Sequence, residues 1–125
     1  MGVPREGRLR SGSDFRSLYR DRRMLRNRDL TIYWRLRPDS PSRLGLSVGK
    51  RVGDAVRRNR CKRVLREVFR LEATAIPGHF DFIVIPRPGE QAFDFHQLRH
   101  AFVHLMGKLA REVERTPARR DDASP

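Results

Sequence analysis

The side chains best placed to do chemistry lie between Lys50 and Arg70. Within that stretch, DAVRRNRCKRVLREVFR (Asp54–Arg70) has the period of a helix, about 100° per residue. Cys61, Val64, Leu65, Val68 and Phe69 fall on one face, and Asn59, Lys62, Arg63, Arg66 and Arg70 on the opposite one, with Arg60 and Glu67 at its margin. A solvated helix face normally alternates charge so that residues four apart can pair. Here Glu67 is the one acid in the set, and the like charges cost stability unless phosphates neutralise them. Lys50 and Arg51 add cations at the end where the helix N-terminus offers free N–H groups to an anion. Asn59 adds a donor and an acceptor suited to a ribose or a base edge. This pattern points to nucleic-acid binding, the alternative being a basic face set against an acidic protein.

Phe15, Tyr19 and Tyr33 favour RNA over duplex DNA, because unpaired bases stack on aromatic rings beside a basic groove. Phe15, Leu18 and Tyr19 also read simply as the core face of a first helix, at spacing i, i+3, i+4. Tyr33 resists that reading, because its strand has a complete apolar face on the other side. No helix-turn-helix pair, zinc finger or basic zipper is recognisable.

Residue patterns for protein-borne catalysis are missing. His96, His100 and His104 recur at i, i+4 spacing, which could present a metal face, yet no carboxylate stands between them in a metalloprotease pattern. Their place beside the apolar stripe of the last helix explains them without a metal. The acids are scattered, with no cluster for a two-metal nuclease. Gly45, Gly49 and Gly53 lack the Lys-Ser/Thr ending of a phosphate-binding loop. Cys61 falls on the apolar helix face as a small core residue rather than a nucleophile. No catalytic residue, metal ligand or cofactor site is expected in the protein itself.

The whole chain agrees with this local reading. Its 125 residues suit one domain and are too few for two full cores. Lys and Arg number 28 against 15 Asp and Glu, and the net charge of +13 predicts a polyanionic partner. A hydrophobic content of 38% supports a modest core and excludes wholesale disorder. No run approaches the ~18 apolar residues of a membrane span. The basic segment Met1–Arg10 lacks the apolar centre of a secretory signal. Cys61 is the single cysteine, so an internal disulfide is impossible and a reducing cytoplasm is the expected location.

Several elements must position these side chains. Residues 1–12 read as an extended basic arm, and Ser13 as the N-cap of a helix to about Arg22. Leu30–Arg37 alternates, with Leu30, Ile32, Trp34 and Leu36 to one side and Thr31, Tyr33, Arg35 and Arg37 to the other, as in a half-buried strand. A weaker strand precedes it at Met24–Arg26. Arg43–Val48 is a further strand whose outward side, Arg43, Gly45 and Ser47, is nearly bare and leaves room for a close neighbour. The basic helix opens at Gly53-Asp54 and ends near Pro77-Gly78; Phe80–Ile85 reads as an interior strand. Asp94 and Gln97 have capping-box spacing at the start of a last helix striped by Leu98, Phe102, Leu105 and Leu109. Residues 1–115 form a single α+β domain, a two-layer sandwich of order αβββαβα on a small mixed sheet, and the polar residues 116–125 are expected to be a disordered tail.

The stretch LGLSVGKRVGDAVRRNRCKRVLREVFR (Leu44–Arg70) resembles the signature of the bacterial ribonuclease P protein subunit, with Arg58-Asn59-Arg60 at its centre and Lys62-Arg63 following. RLRSGSDFRSLY (Arg8–Tyr19) and FDFIVIPRPG (Phe80–Gly89) match as well, so the resemblance spans roughly residues 8–110. It implies a subunit that binds a large catalytic RNA, one protein per RNA, and helps it remove the 5′ leader from precursor tRNA. Catalysis and its magnesium ions would then belong to the RNA. The resemblance also implies a left-handed βαβ crossover, against the usual right-handed rule. By motif position it implies a leader cleft at Phe15, Tyr19, Tyr33 and Ser47, bordered by Lys50, Arg58, Lys62 and Arg66. Contacts to the catalytic RNA are implied for Arg51, Asn59, Arg60, Arg63 and Arg70. Tyr19 stands where the family often has Phe, which keeps a stacking face, and Cys61 replaces a usual Ile. Two other readings are an RNA-binding protein with no part in cleavage, such as a ribosomal or assembly factor, and a small protein-only nuclease.

Overall fold

The computed structural model describes residues 7–9 and 11–115. Helix α1 (Gly12–Asp21) is followed by strands β1 (Met24–Arg26), β2 (Leu30–Leu36) and β3 (Arg43–Leu46), helix α2 (Ala55–Leu71), strand β4 (Phe80–Pro86) and helix α3 (Phe95–Arg115). The order αβββαβα is the one expected, and the residues beyond 115 lie outside the described part. The strands lie side by side as β1-β2-β4-β3. β1 and β4 each pair antiparallel with β2, and β3 pairs parallel with β4, so α2 carries the chain across the parallel β3–β4 pair. The interior position predicted for Phe80–Ile85 holds: β4 has a hydrogen-bonded neighbour on both sides. No described helix is long and apolar enough to cross a membrane.

Each helix starts on a side-chain cap. α2 starts on Asp54, which accepts from the Arg57 N–H at 2.9 Å. α3 starts after Asp94, which accepts from the Gln97 N–H at 2.9 Å; Gln97 turns its own side chain toward Asp29 instead of closing a capping box. α1 starts two residues earlier than expected, because Ser11 and not Ser13 is the cap, accepting from the Ser13 N–H at 3.2 Å. The arm expected over residues 1–12 yields Gly12 to α1, and its residues 1–6 and 10 lie outside the described part. At Leu9 it donates to Leu44 O at 2.9 Å, and Arg8 bridges Leu44 in parallel, so the arm covers the free edge of β3. α2 stops at Leu71, short of Pro77, and a separate 3-10 turn at Ala73–Ala75 fills the gap.

The two faces of the sheet are covered differently. On the inner face Leu30, Ile32, Trp34, Phe80, Phe82 and Val84 meet Cys61, Leu65, Val68 and Phe69 of α2 and Leu98, Phe102, Leu105 and Leu109 of α3 in one core. This is the two-layer body, built from the periodicities of both helices and both strands. Burial of the Cys61 thiol in it pushes the thiol pKa up to about 11, so it stays protonated and acts as a small apolar group. On the outer face a smaller core of Leu9, Leu18 and Ile83 is flanked by Phe15, Tyr19, Tyr33 and Ile85. α1 and the arm lie across this second face.

Candidate nucleic-acid interface

Along the edge of β3, residues from both sides of the sheet meet around a cleft of about 280 Å³. Phe15 of α1, with Arg8 and Leu9 of the arm, forms one wall; Lys62 and Arg66 of α2 form the other; Leu44 and Leu46 of β3 are the floor. An apolar floor, one ring and three cations are what a nucleotide requires, a surface for the base and charge for its phosphates. Among the described residues no acid lines the cleft. Burial lowers the Arg66 pKa and the neighbouring Arg8 charge lowers it further, so two guanidiniums share the space. A phosphate placed between them relieves that repulsion.

The bare outward side of β3 is filled by the protein itself. A Cβ on Gly45 would lie 2.7 Å from Phe15 Cζ and 3.2 Å from Leu9 Cβ, so the ring rests directly on the backbone of β3. The room read at Gly45 belongs to Phe15 and not to a ligand. Next to it Tyr19 meets Phe15 at 6.4 Å between ring centroids and meets Tyr33 edge-on at 4.8 Å. The three aromatics thus form one strip, in which Phe15 reaches the cleft while Tyr19 and Tyr33, both partly exposed, continue over the sheet. Phe15 and Tyr19 flank the small core, as the core reading has it, and keep a partly solvent-facing surface.

The other predicted positions are placed more loosely. Ser47, Lys50 and Arg58 do not line the cleft. Ser47 uses its N–H to reach Val84 O at 3.1 Å, and Lys50 and Arg51 lie in an exposed 3-10 turn ahead of α2. Asn59, Arg60 and Arg63 are exposed on α2, whereas Arg58 is partly buried, its Nε without a hydrogen-bond partner. Arg70 is exposed but engaged by Glu67, its Nη2 donating at 2.5 Å, which holds the Glu67 carboxyl below its ordinary pKa. The histidines show no metal geometry. His104 Nδ1 faces the Asn27 amide at 3.1 Å, and the described residues include no group of three His, Cys, Asp or Glu able to hold a metal ion.

Sequence reasoning missed the group that seats the aromatic strip. Asp81 is the one charged residue of β4, and the strand registers set it directly between Arg35 of β2 and Arg43 of β3. It is only 1% exposed, accepts from Arg35 Nη2 at 2.9 Å and from Arg43 Nε and Nη2 at 2.8 and 2.9 Å, and lies 3.5 Å from Arg37 Nε. Burial alone would raise its pKa, but the Arg43 and Arg35 hydrogen bonds outweigh that and hold it below the usual carboxylate range. Arg35 also donates to Ser17 Oγ at 2.6 Å, and Asp14 stands 3.8 Å from both Arg35 and Arg43, so the cluster ties α1 to the sheet on either side of Phe15. An acid inside the apolar run FDFIVIP was the available signal.

The fold and this cleft can be set beside known proteins. The ribonuclease P family model matches residues 3–110. The chain belongs to the ribonuclease P protein family. It is 39% identical to the ribonuclease P protein component of Streptococcus mutans over 104 residues, 83% of this chain and 86% of that one. It is 35% identical to the component from Bacillus pumilus over 109 residues, 86% of this chain and 92% of that one. Among solved structures, the ribonuclease P protein of Thermotoga maritima superposes with a TM-score of 0.72 at 34% identity, covering 81% of this chain and 96% of the other. That of Staphylococcus aureus gives 0.71 at 30% identity, covering 82% and 94%. Membership in the ribonuclease P protein family makes the chain a component of a tRNA-processing ribonucleoprotein nuclease, associated with ribonuclease P RNA.

Proposed function

We propose that the chain binds the ribonuclease P RNA, one protein per RNA, and receives the 5′ leader of precursor tRNA in the Phe15 cleft, assisting endonucleolytic removal of the leader. The observation that carries this reading is the cleft itself, with a ring on one wall, Lys62 and Arg66 on the other, and no acid among the described residues that line it. Such a site suits a single strand, and its described lining offers no carboxylate or imidazole to act as a general base. Cleavage is therefore assigned to the RNA and to Mg²⁺ held mainly by RNA, and the work to the cytoplasm, where precursor tRNA is made. The described residues supply no trio of metal-binding side chains that would fit such an ion.

Reconstitution tests the reading. Purified chain in magnesium leaves precursor tRNA intact, and adding ribonuclease P RNA at low magnesium yields the mature 5′ end. Processing by RNA-free protein that disappears on mutation of an Asp or Glu would overturn it. If the chain isolated from its cell carries ribosomes and not a single structured RNA of several hundred nucleotides, the ribosomal alternative replaces it.

The exposed arginines of α2 are assigned to the catalytic RNA. Arg60→Ala and Arg63→Ala should each weaken holoenzyme assembly at moderate salt and take about one unit from the slope of log affinity against log salt. Circular dichroism should stay unchanged, because neither side chain reaches the core. An Arg63→Ala chain that unfolds, yet whose folded fraction assembles normally, would show that this face is structural.

A further inference from the structure

Arg57 and Arg60 stand three residues apart on the exposed side of α2, close enough for like charges to repel. Both guanidiniums lie over the ring of Phe93, their Cζ atoms 5.6 and 5.9 Å from its centroid. Phe93 closes the 3-10 turn Glu90–Phe93, which Gly89, at φ 139°, leads into and whose Ala92 is buried. Its own ring packs partly buried against the main core. The ring is therefore a fixed platform, whereas free arginine side chains give up rotamer freedom on binding.

A guanidinium lying over a ring uses its π face and keeps its N–H donors, which lie in its own plane, for other acceptors. Asp54 is spent on the Arg57 backbone N–H at 2.9 Å, and among the described residues the acid paired with the Arg57 guanidinium is Glu90, 3.8 Å away and highly exposed, a pairing of little strength. Among the described residues no carboxylate comes within ion-pair distance of Arg60. Two cations are thus ordered in advance with most donors unspent, beside the exposed Asn59 and Arg63.

We propose that Arg57, Arg60 and Phe93 form one phosphate-binding fork for RNA, with Arg57 a contact residue outside the Arg58–Arg60 motif and Phe93 a positioning residue acting through both arginines. The inference rests on the ribonuclease P reading, the phosphates being those of the catalytic RNA. Preordering two side chains that would otherwise be ordered on binding raises affinity without adding a contact.

The test measures binding of the full-length chain to refolded ribonuclease P RNA at moderate salt, with melting temperature as a control. Phe93→Leu keeps an apolar side chain and removes the π face; binding should weaken about three- to tenfold with the melting temperature nearly unchanged. Phe93→Tyr should restore it. In a chain already carrying Arg57→Ala and Arg60→Ala, Phe93→Leu should add no further loss. Parent-like binding by Phe93→Leu, or a full additional loss in the arginine-free background, overturns the proposal. If Phe93→Leu fails to fold, the arginine Hδ resonances of the parent decide: upfield ring-current shifts at both Arg57 and Arg60 support the fork, and ordinary shifts overturn it. A parent chain that does not bind the catalytic RNA at all removes the ribonuclease P reading and the fork with it, whereas loss with Arg57→Ala and Arg60→Ala but not with Phe93→Leu removes the platform alone.

Discussion

Asp81→Ala should cost roughly 3–5 kcal/mol of folding stability, the range for removing one partner of a buried ion pair. The variant leaves Arg35, Arg37 and Arg43 converging on an empty position with no buried counter-charge, and it removes the acceptor of three guanidinium hydrogen bonds. Against a typical total of about 5–15 kcal/mol, this is a large fraction. Urea unfolding at neutral pH measures it. The pH dependence gives a second, independent reading. Because the folded carboxyl is held below its ordinary pKa, its stabilisation is complete above the unfolded value of about 3.9 and is lost as pH falls through the lower, folded value. Asp81→Asn has nothing to titrate there, so the stability gap between parent and variant should close on acidification through that window. Identical acid dependence in both chains would mean that Asp81 is not held ionised by the arginines. The loss should also loosen α1, since Arg35 and Arg43 hold Asp14 and Ser17 on either side of Phe15.

Phe15→Ala combined with Tyr33→Ala should weaken holoenzyme binding to precursor tRNA about tenfold or more, with mature tRNA bound as before. Base–aromatic stacking contributes ~1–3 kcal/mol per base on alanine substitution, and 1.4 kcal/mol corresponds to a factor of ten. The two rings stand at the ends of one strip bridged by Tyr19, so a strand leaving the cleft past Phe15 meets Tyr19 and then Tyr33. Leu9, Leu18 and Ile83 remain buried behind them, which keeps α1 seated in the double variant. Gel-shift titration of the reconstituted holoenzyme with each tRNA makes the comparison. Equal losses for both ligands, in a variant that folds and assembles, would reduce the aromatics to packing.

The basic helix was legible in the sequence because its period and its missing acids are both local properties; Cys61, Leu65, Val68 and Phe69 are buried as the wheel places them. The same holds for β2, whose alternation survives as buried Leu30, Ile32 and Trp34. What sequence could not supply depends on which strands become neighbours. Nothing in Arg43–Leu46 or Leu30–Leu36 says that β4 separates them, so the meeting of Asp81 with Arg35 and Arg43 was hidden although its oddity was visible. Gly45 illustrates the same limit at one position. Its small size correctly signals a close approach, but the approaching group is Phe15, thirty residues earlier, and only the docking of α1 reveals it. The cap at Ser11 was missed for a simpler reason: SGS offers two serines of equal chemistry, and the start of the helix chooses between them.

The strand order bears on how the chain is made as well as on what it becomes. β2 and β3 each depend on β4 for their shared sheet, and β4 is synthesised after α2, so a ribosome must release more than two thirds of the chain before the sheet can close. Until then Phe15 has no strand to rest on, and Lys62 and Arg66 belong to a helix whose apolar face lacks its cover. Both walls of the cleft are early products, assembled into a site by a later segment that lines neither. Non-local pairing of this kind slows folding relative to hairpin-by-hairpin growth. The nascent protein therefore carries its arginines as loose polycation while it is still beside ribosomal RNA, and gains the shape that discriminates among RNAs only when Phe80–Pro86 slides between its two neighbours.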